Sequence, residues 1–351
     1  MRIIFLCLFA SLFAAENQIE LFIYWSPEAK GQEAFPIDDS SMSLPSQVRK
    51  GLLNKGWDIS SLDTEFYRPF LLGWNLVRSW QELKWRLGFD LPKMPESKYW
   101  VFWNFWINMR GFDYGRMPKE KLVLFIWEPP VVQPEGYNPK VWDQFGKIFT
   151  WDDDLVDGKK FFKFYYPVMH PRIEKIPAFE EKKFCTLISS RLSSKHPKEI
   201  YSEREKTIRF FEDKPGEFDL YGRYWEKRKF KNYRGTIGNK IEVLKNYKFC
   251  ISYENTKDIR GYITEKIFDC FTAGVVPVYW GASNVEEYIP EGAFIDRRKF
   301  ADNEEMYAFL KSIGKEEYEG YLEAAGEFLK SDKAKLFTNE QFVKDFLRIT
   351  E

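Results

Sequence analysis

Short apolar runs alternate with polar, helix-like segments along most of the chain. Five runs in the first half predict strands, at residues 19–25, 57–61, 100–107, 121–127 and 145–151. Three runs in the second half predict further strands, at residues 184–189, 249–253 and 275–280. Helix-like segments lie between them, at residues 42–55, at 201–212 and after residue 264. Alternation of this kind predicts two doubly wound α/β domains.

The segment 303–350 is charged and helix-like, with apolar positions at Phe337, Phe342 and Phe346. We therefore divide the chain into a first domain, a second domain and a C-terminal helix, at residues 16–172, 173–335 and 336–351.

Residues 1–15 read MRIIFLCLFASLFAA, in which Arg2 is followed by an apolar run. The run is shorter than the roughly 20 residues of a membrane-spanning helix, and Ala14 and Ala15 permit cleavage after them. We interpret it as a signal peptide or a short hydrophobic leader, with a first buried strand as the alternative. A location in the secretory pathway or at a membrane follows, and the cytoplasmic face of a bacterial membrane also fits.

Charge and aromatic content narrow the classes of function. With 53 basic and 53 acidic side chains the formal charge is balanced, so no nucleic-acid partner is expected. Eleven of the thirteen tryptophans precede residue 152. This uneven distribution indicates that the two halves of the chain have different functions. Most of these tryptophans fit a core, while a few could stack on sugars in a cleft.

The stretch 247–281 carries the strongest chemical signal. A strand runs into a turn with Glu254 and Asn255. Gly261 then precedes Tyr262 and a helix that starts near Glu265 and Lys266. Units of this type bind ligands at the carboxyl ends of strands, beside a helix N-terminus that favours anions. The carboxylate of Glu265 could accept hydrogen bonds from hydroxyl groups, and the ammonium of Lys266 could bind phosphate.

Glu128 follows the apolar run KLVLFIW and precedes two prolines. A carboxylate held on a stiff turn at a strand end suits a general base, which must be preorganised near a substrate hydroxyl. The alternative is a solvated turn glutamate.

Arg204 lies near the start of the helix-like segment 201–212. An arginine there could bind diphosphate oxygens with its guanidinium fork. The alternative is a surface arginine paired with a nearby glutamate.

Residues 152–154 are three aspartates, and such an Asp-x-Asp pattern could hold a divalent metal that bridges a nucleotide diphosphate. Ordinary capping of a turn or helix is the alternative, and lysines in the second half make a metal unnecessary for the leaving group. A metal is therefore possible but not expected, and no other cofactor is required. Cys185, Cys250 and Cys270 lack metal-site spacing and fit a core.

Together these motifs resemble glycosyltransferase family 10, the α1,3/α1,4-fucosyltransferases. The donor signature of that family is similar to YEN at residues 253–255, GYITEK at 261–266 and PVYWG at 277–281. WEPP at residues 127–130 resembles its acidic strand-end motif, although a proline stands at 129 where animal members usually carry serine. Residues 189–222 resemble the segment with a phosphate-binding arginine. That arginine aligns with Arg204, with the other candidates being Arg191, Lys195 and Lys198.

The resemblance spans residues 120–300 and implies a GT-B type enzyme with two Rossmann-like domains facing a cleft. The first domain would bind a glycan acceptor and the second GDP-β-L-fucose, with L-fucose passing to a hydroxyl (O3 of GlcNAc or glucose) with inversion. By family analogy the base is Glu128. The other roles are phosphate binding by Arg204 and Lys266, ribose binding by Glu265, and shaping of the nucleotide pocket by Asn255 and Tyr262.

The sequence leaves two alternative functions open. One is a GT-B transferase that uses another nucleotide sugar. The other is a catalytically silent carbohydrate-binding protein that uses the tryptophan-rich half, although a lectin does not need a diphosphate site. A peripheral membrane association is compatible with either.

Overall fold

The structure is a computed structural model that describes residues 18–23, 44–61, 98–104 and 118–351. Within these ranges the strands form two separate parallel sheets of six strands each. The predicted leader, residues 24–25 of the first predicted strand and residues 105–107 of the third lie outside the described residues.

The first sheet has the strand order β2-β1-β3-β4-β5-β6. Its strands are β1 (Gln18–Ile23), β2 (Asp58–Ser61), β3 (Tyr99–Trp103), β4 (Leu122–Ile126), β5 (Lys147–Thr150) and β6 (Phe161–Lys163). The first five were predicted. The apolar pattern did not reveal β6, a strand of three residues that pairs only with β5.

The second sheet has the strand order β12-β11-β10-β7-β8-β9. Its strands are β7 (Lys183–Ile188), β8 (Phe218–Tyr221), β9 (Tyr233–Gly235), β10 (Tyr247–Tyr253), β11 (Val276–Trp280) and β12 (Ile295–Asp296). This is the strand order of a Rossmann sheet. From β7 to β9 each new strand is added on one side of β7, and from β10 to β12 each new strand is added on the other side, so the order reverses between β7 and β10. Ligands bind at the carboxyl ends of the strands beside such a reversal.

Ten helices accompany the strands in the described part of the chain. They are α1 (Leu44–Leu53), α2 (Pro139–Trp142), α3 (Tyr201–Phe210), α4 (Lys240–Leu244), α5 (Glu265–Ala273), α6 (Val285–Tyr288), α7 (Asn303–Ser312), α8 (Lys315–Lys330), α9 (Asp332–Lys335) and α10 (Asn339–Leu347). The helix predicted at residues 201–212 ends earlier, at Phe210, and continues as a 3₁₀ turn over Phe211–Asp213.

Both faces of the first sheet are buried along β3 and β4, as is typical of parallel sheets. Alternate residues point to opposite sides. Val101, Val123 and Phe125 join one apolar cluster, whereas Phe102 and Leu124 join another on the opposite face. The described tryptophans of this half all belong to or pack against these clusters, namely Trp57, Trp100, Trp103, Trp127, Trp142 and Trp151. The core interpretation therefore holds for them.

The last helix returns to the first sheet. Phe342 and Phe346 of α10 are each 1% exposed and belong to the cluster that contains Phe125. The rings of Phe125 and Phe346 stack with centroids 5.1 Å apart. The prediction is thus confirmed for Phe342 and Phe346, which pack on the first sheet, whereas Phe337 precedes the helix and belongs to another apolar cluster in the second half.

The second sheet is also covered on both faces, by the apolar clusters that contain Phe249 and Cys250 respectively. Cys185, Cys250 and Cys270 are buried free thiols, which confirms their prediction as core residues. Among the residues that the structure describes, none of the helices has the length and apolar character needed to cross a bilayer.

Candidate active site

Glu128 lies just past the carboxyl end of β4, in a turn that Asn104 holds in place. The side-chain oxygen of Asn104 accepts hydrogen bonds from the backbone N–H groups of Trp127 and Glu128, at 2.8 and 2.9 Å. Asn104 follows β3, is 5% exposed and has a φ of 66°. Asparagine adopts this left-handed conformation more readily than most residues. The turn that carries Glu128 is therefore built from two neighbouring strand ends.

The surroundings of Glu128 include charges from the second half of the chain. Burial raises the pKa of its carboxyl group, the ammonium of Lys266 lowers it, and the carboxylate of Glu265 raises it, with a net upward shift. Glu128 is partly buried, not a fully solvated turn residue. The charges of Glu265 and Lys266, in the second half of the chain, therefore act on the carboxyl group of Glu128 in the first half.

Lys266 is held by a carboxylate at the reversal point of the second sheet. Glu254 directly follows β10 and is 0% exposed. Its Oε2 lies 3.1 Å from the Nζ of Lys266. Its Oε1 accepts the backbone N–H of Thr264 at 2.9 Å, and the Thr264 hydroxyl donates to Oε2 at 2.7 Å. Glu254 therefore fixes the first turn of α5.

The ammonium of Lys266 sits among opposing charges. Its Nζ lies 3.2 Å from Oε1 of Glu265. Burial lowers the pKa of Lys266, but the carboxylates of Glu254 and Glu265 outweigh it and the net shift is upward. Burial raises the pKa of Glu265, but Lys266 and Lys240 outweigh it and bring it to about 2. Both groups are therefore charged at neutral pH, in a region where a helix N-terminus also favours anions.

Arg204 is a buried residue, so the surface alternative is wrong. It is 4% exposed, and burial lowers the pKa of its guanidinium. Its Nη2 donates to the backbone oxygens of Tyr253 and Glu254, at 2.7 and 2.5 Å. The same nitrogen donates to Oδ1 of Asn255 at 3.0 Å. Arg204 and Asn255 thus meet at the carboxyl end of β10, beside the Lys266 site.

The other basic candidates of the same segment lie differently. Arg191 is more exposed and pairs with Glu205 at 3.5 Å. Lys195 is exposed, and Nζ of Lys198 donates to the backbone oxygen of Asp258 at 2.8 Å. Of these four residues, Arg204 is the buried one, and it contacts Glu254 and Asn255 directly after β10.

Tyr262 packs into the interface between the two halves. It is 2% exposed, and its ring lies 4.5 Å from that of Trp151 and 6.1 Å from that of Tyr166. Burial raises its pKa well above the ordinary value, and Tyr166, Glu254 and Glu128 add to the shift. The side chain of Tyr262 is therefore within the electrostatic influence of both Glu128 and Glu254.

The three aspartates at residues 152–154 serve the protein's own structure. Oδ1 of Asp152 accepts the backbone N–H of Asp154 at 3.0 Å, and Asp153 pairs with Lys163 at 2.7 Å. Burial raises the pKa of Asp152 to about 6. No group of three or more potential ligands that could hold a metal occurs in the described ranges. These contacts match the turn-capping alternative for Asp152.

Sequence reasoning missed three residues that shape the site. Asn104 gave no signal, because it lies within the apolar run that predicts a strand at residues 100–107. Glu254 stood in the recognised turn without a role, because its burial depends on Thr264 and Lys266 converging on it. Thr264 gave the usual signal of a residue before a helix, but its hydroxyl bonds to Glu254.

Two parallel α/β sheets with site residues converging from both define the GT-B class of glycosyltransferase folds. A crystal structure of an α1,3-fucosyltransferase with GDP-fucose has this fold. It matches 95% of this chain and 90% of that chain, with a TM-score of 0.51 and 14% sequence identity.

The second half of the sequence matches a family model. Residues 178–341 match the family model described as "Glycosyltransferase family 10 (fucosyltransferase) C-term". This stretch is therefore similar to the C-terminal domain of glycosyltransferase family 10.

Two curated relatives illustrate the similarity. An alpha-(1,4)-fucosyltransferase from Arabidopsis thaliana is 40% identical over 72 residues, which are 20% of this chain and 18% of the relative. The 4-galactosyl-N-acetylglucosaminide 3-alpha-L-fucosyltransferase 9 from Mus musculus is 31% identical over 203 residues, which are 57% of this chain and 51% of the relative. The match thus spans about half of the mouse protein and less than a fifth of the plant one.

Proposed function

We propose that this protein is an inverting fucosyltransferase that moves L-fucose from GDP-β-L-fucose to a hydroxyl of a glycan acceptor, with GlcNAc or glucose O3 as the expected position. The proposal is carried by the contacts of Trp151, which bonds to the residue before Glu128 and packs on Tyr262 of the donor segment, in a chain whose second half matches the family 10 domain. The charges of Lys266 and Glu265 also act on the carboxyl group of Glu128. The relatives named above are fucosyltransferases by name, which supports fucose as the sugar.

The proposed reaction is one displacement at the anomeric carbon. Glu128 accepts the proton of the acceptor hydroxyl, and that oxygen forms the new bond to C1 of fucose from the face opposite the diphosphate. The bond between C1 and the diphosphate oxygen breaks, and GDP leaves with the electron pair. The β-linked donor thus gives an α-linked product. Holding both reactants in line provides much of the rate enhancement.

Fixed cations supply the charge that the leaving group needs. Lys266 is preorganised by Glu254 and Glu265, and Arg204 lies behind the adjacent loop. Preorganised positive charge in a site of low water content stabilises a departing diphosphate more than the same charge does in water. We propose that these two residues bind the diphosphate without a metal, and that Glu265 binds the ribose hydroxyls.

The remaining donor residues would shape the nucleotide pocket. Asn255 is oriented by Arg204, and Tyr262 lies at the interface of the two halves. The acceptor would bind to the first half, within reach of Glu128, and a peripheral membrane association would be compatible with a glycoconjugate acceptor.

A donor screen tests the proposal. The purified protein is incubated with GDP-fucose, GDP-mannose, UDP-glucose and UDP-GlcNAc, with N-acetyllactosamine or lactose as acceptor. Release of the nucleotide and mass gain of the acceptor are measured. We expect turnover with GDP-fucose alone and a mass gain of one deoxyhexose. Turnover with another donor would replace the donor assignment, and binding of the glycan without turnover of any donor would favour a silent carbohydrate-binding protein.

A further inference from the structure

The carboxylate of Asp153 joins the two halves of the chain. Its Oδ1 lies 2.7 Å from Nζ of Lys163, which belongs to β6 of the first sheet. Its Oδ2 accepts a hydrogen bond from Nδ2 of Asn284 at 2.9 Å, and the hydroxyl of Tyr288 donates to it at 2.8 Å. Asn284 precedes α6 of the second half, and Tyr288 is the last residue of this helix. One side chain therefore connects the ends of β5 and β6 with the region after β11.

The same residue also reaches the segment that leads into the donor site. The backbone N–H of Asp153 donates to the oxygen of Arg260 at 3.2 Å. Oδ1 of Asn284 accepts the N–H of Gly261 at 2.9 Å. Asp153 thus holds residues 260 and 261 directly and through Asn284, three residues before Thr264.

Gly261 is packed against the first half without room for a side chain. Its φ is 82°, which favours glycine. A Cβ there would collide with the backbone oxygen of Trp151 and lie 2.7 Å from Nζ of Lys163. The close approach shows that the donor segment rests directly on the end of β5.

Contacts continue from this junction to the proposed base. Nε1 of Trp151 donates to the backbone oxygen of Trp127 at 3.0 Å, one residue before Glu128. The ring of Trp151 also packs on Tyr262 at 4.5 Å. The end of β5 therefore contacts the segment that carries Glu128 and the segment that carries Lys266.

We propose that Asp153 is a positioning residue that sets the separation between Glu128 and Lys266. It acts through an inter-sheet clamp, which we define as the following five residues: Asp153, Lys163, Gly261, Asn284 and Tyr288. The inference rests on the proposed function, because separation of base and donor matters only if transfer occurs between them. It gives the acidic stretch 152–154 a role other than metal binding.

The clamp and the donor site have separate supports. Lys266 is anchored by Glu254 and Thr264, both in the second half, and neither contacts Asp153. Loss of the clamp should therefore misplace the base relative to the donor while it leaves the diphosphate contacts in place. A misplacement of 1 Å is enough to cost about 100-fold in rate.

The first arm of the test compares Asp153→Asn with Asp143→Asn, a matched control on an exposed residue after α2. We measure kcat, both KM values and the affinity for GDP by calorimetry. In Asp153→Asn we expect kcat to fall about 100-fold, because an amide cannot accept from all three partners, while GDP affinity stays close to wild type. The control should behave as wild type. Unchanged kcat, or a parallel loss of GDP affinity, would overturn the positioning role.

The second arm does not depend on activity. Hydrogen exchange is followed in the peptide that contains Gly261, in wild type, Asp153→Asn, Asp143→Asn and Gly261→Ala. We expect faster exchange in Asp153→Asn and in Gly261→Ala. In Gly261→Ala the added methyl group forces the segment away from the end of β5. Circular dichroism confirms that each variant is folded. Unchanged exchange would overturn the clamp whatever the activity is. If wild type transfers no sugar from any donor, the proposed function fails while this arm still tests the clamp.

Discussion

The carboxylate of Glu254, which has no exposed surface, lies 3.1 Å from the ammonium of Lys266. The pair occupies the carboxyl end of β10, where the second sheet reverses its strand order. A buried charge of this kind needs its partner, because desolvation is costly for each ion alone. The same contact therefore serves stability and, on the function that we propose, donor binding.

The two contributions can be separated with Lys266→Met. Removing the ammonium leaves Glu254 buried without its partner, so the free energy of unfolding should fall by about 3 kcal/mol, and GDP should bind more weakly. Adding Glu254→Gln should restore most of the stability but not the affinity. Urea denaturation and calorimetry measure the two effects, with Lys330→Met on an exposed position as control. Unchanged GDP affinity in Lys266→Met would remove this lysine from the donor site.

Glu128→Gln tests the general base. The amide keeps the shape of the side chain but cannot accept the hydroxyl proton, so kcat should fall roughly 100- to 10,000-fold. GDP affinity should stay near that of wild type, since the diphosphate contacts lie on the other sheet. Glu120→Gln, on an exposed residue before β4, is the control. Normal turnover by Glu128→Gln would exclude the role.

The pH dependence of kcat/KM should report the raised pKa of Glu128. A base works deprotonated, so activity should be lost as the pH falls through a value above the ordinary glutamate pKa of about 4.3. Lys266 lowers this pKa and Glu265 raises it. The acidic limb should therefore move to higher pH in Lys266→Met and to lower pH in Glu265→Gln. Shifts in the reverse directions would contradict the arrangement of these charges.

Gly281 gives a packing test of the Glu254 site. A Cβ at Gly281 would collide with the hydroxyl of Tyr279 and lie 2.5 Å from Cγ of Glu254. Overpacking of this kind costs about 1–3 kcal/mol, so Gly281→Ala should lower the Tm and weaken GDP binding. Gly238→Ala is the control, because nothing lies within 4 Å of a Cβ there. Equal Tm values for the two variants would show that Glu254 moves freely.

Chelators should leave activity largely intact. Lys266 and Arg204 offer the leaving group positive charge, and Asp153 is already engaged with Lys163 and Tyr288. Activity is measured before and after dialysis against EDTA, and then with added Mn²⁺. Complete loss that manganese restores would revive Asp152 and Asp154 as metal ligands.

Much of the fold was predictable because buried parallel strands are apolar along their whole length. β4, β7, β10 and β11 stand out for this reason, and the alternation of strands with helices gives the fold class. β8 was missed because Asp219 interrupts its apolar pattern, and β9 and β12 are short edge strands. Periodicity shows that α10 buries a face, but it does not show that this face lies on the first sheet.

The site was predictable where a residue follows a strand. Glu128 was singled out in this way, whereas the Glu265-Lys266 pair was singled out because it starts a helix after the turn that follows β10. Glu254 was named without a role and Asn104 was not named. The roles of both residues depend on partners that come close only in the folded chain. The clamp at Asp153 lay beyond sequence reasoning for the same reason, since its partners come from both halves.

The position of α10 has a consequence for the order of events during synthesis. Phe342 and Phe346 cover the face of the first sheet that contains Phe125, yet more than half of the chain separates them from β4. At roughly 5–20 residues per second, a ribosome needs about 10–40 s to travel from β4 to α10. Throughout that interval the nascent first sheet lacks part of its cover and exposes aromatic surface to chaperones. Completion of the first core therefore waits until the strands of the second sheet have been synthesised.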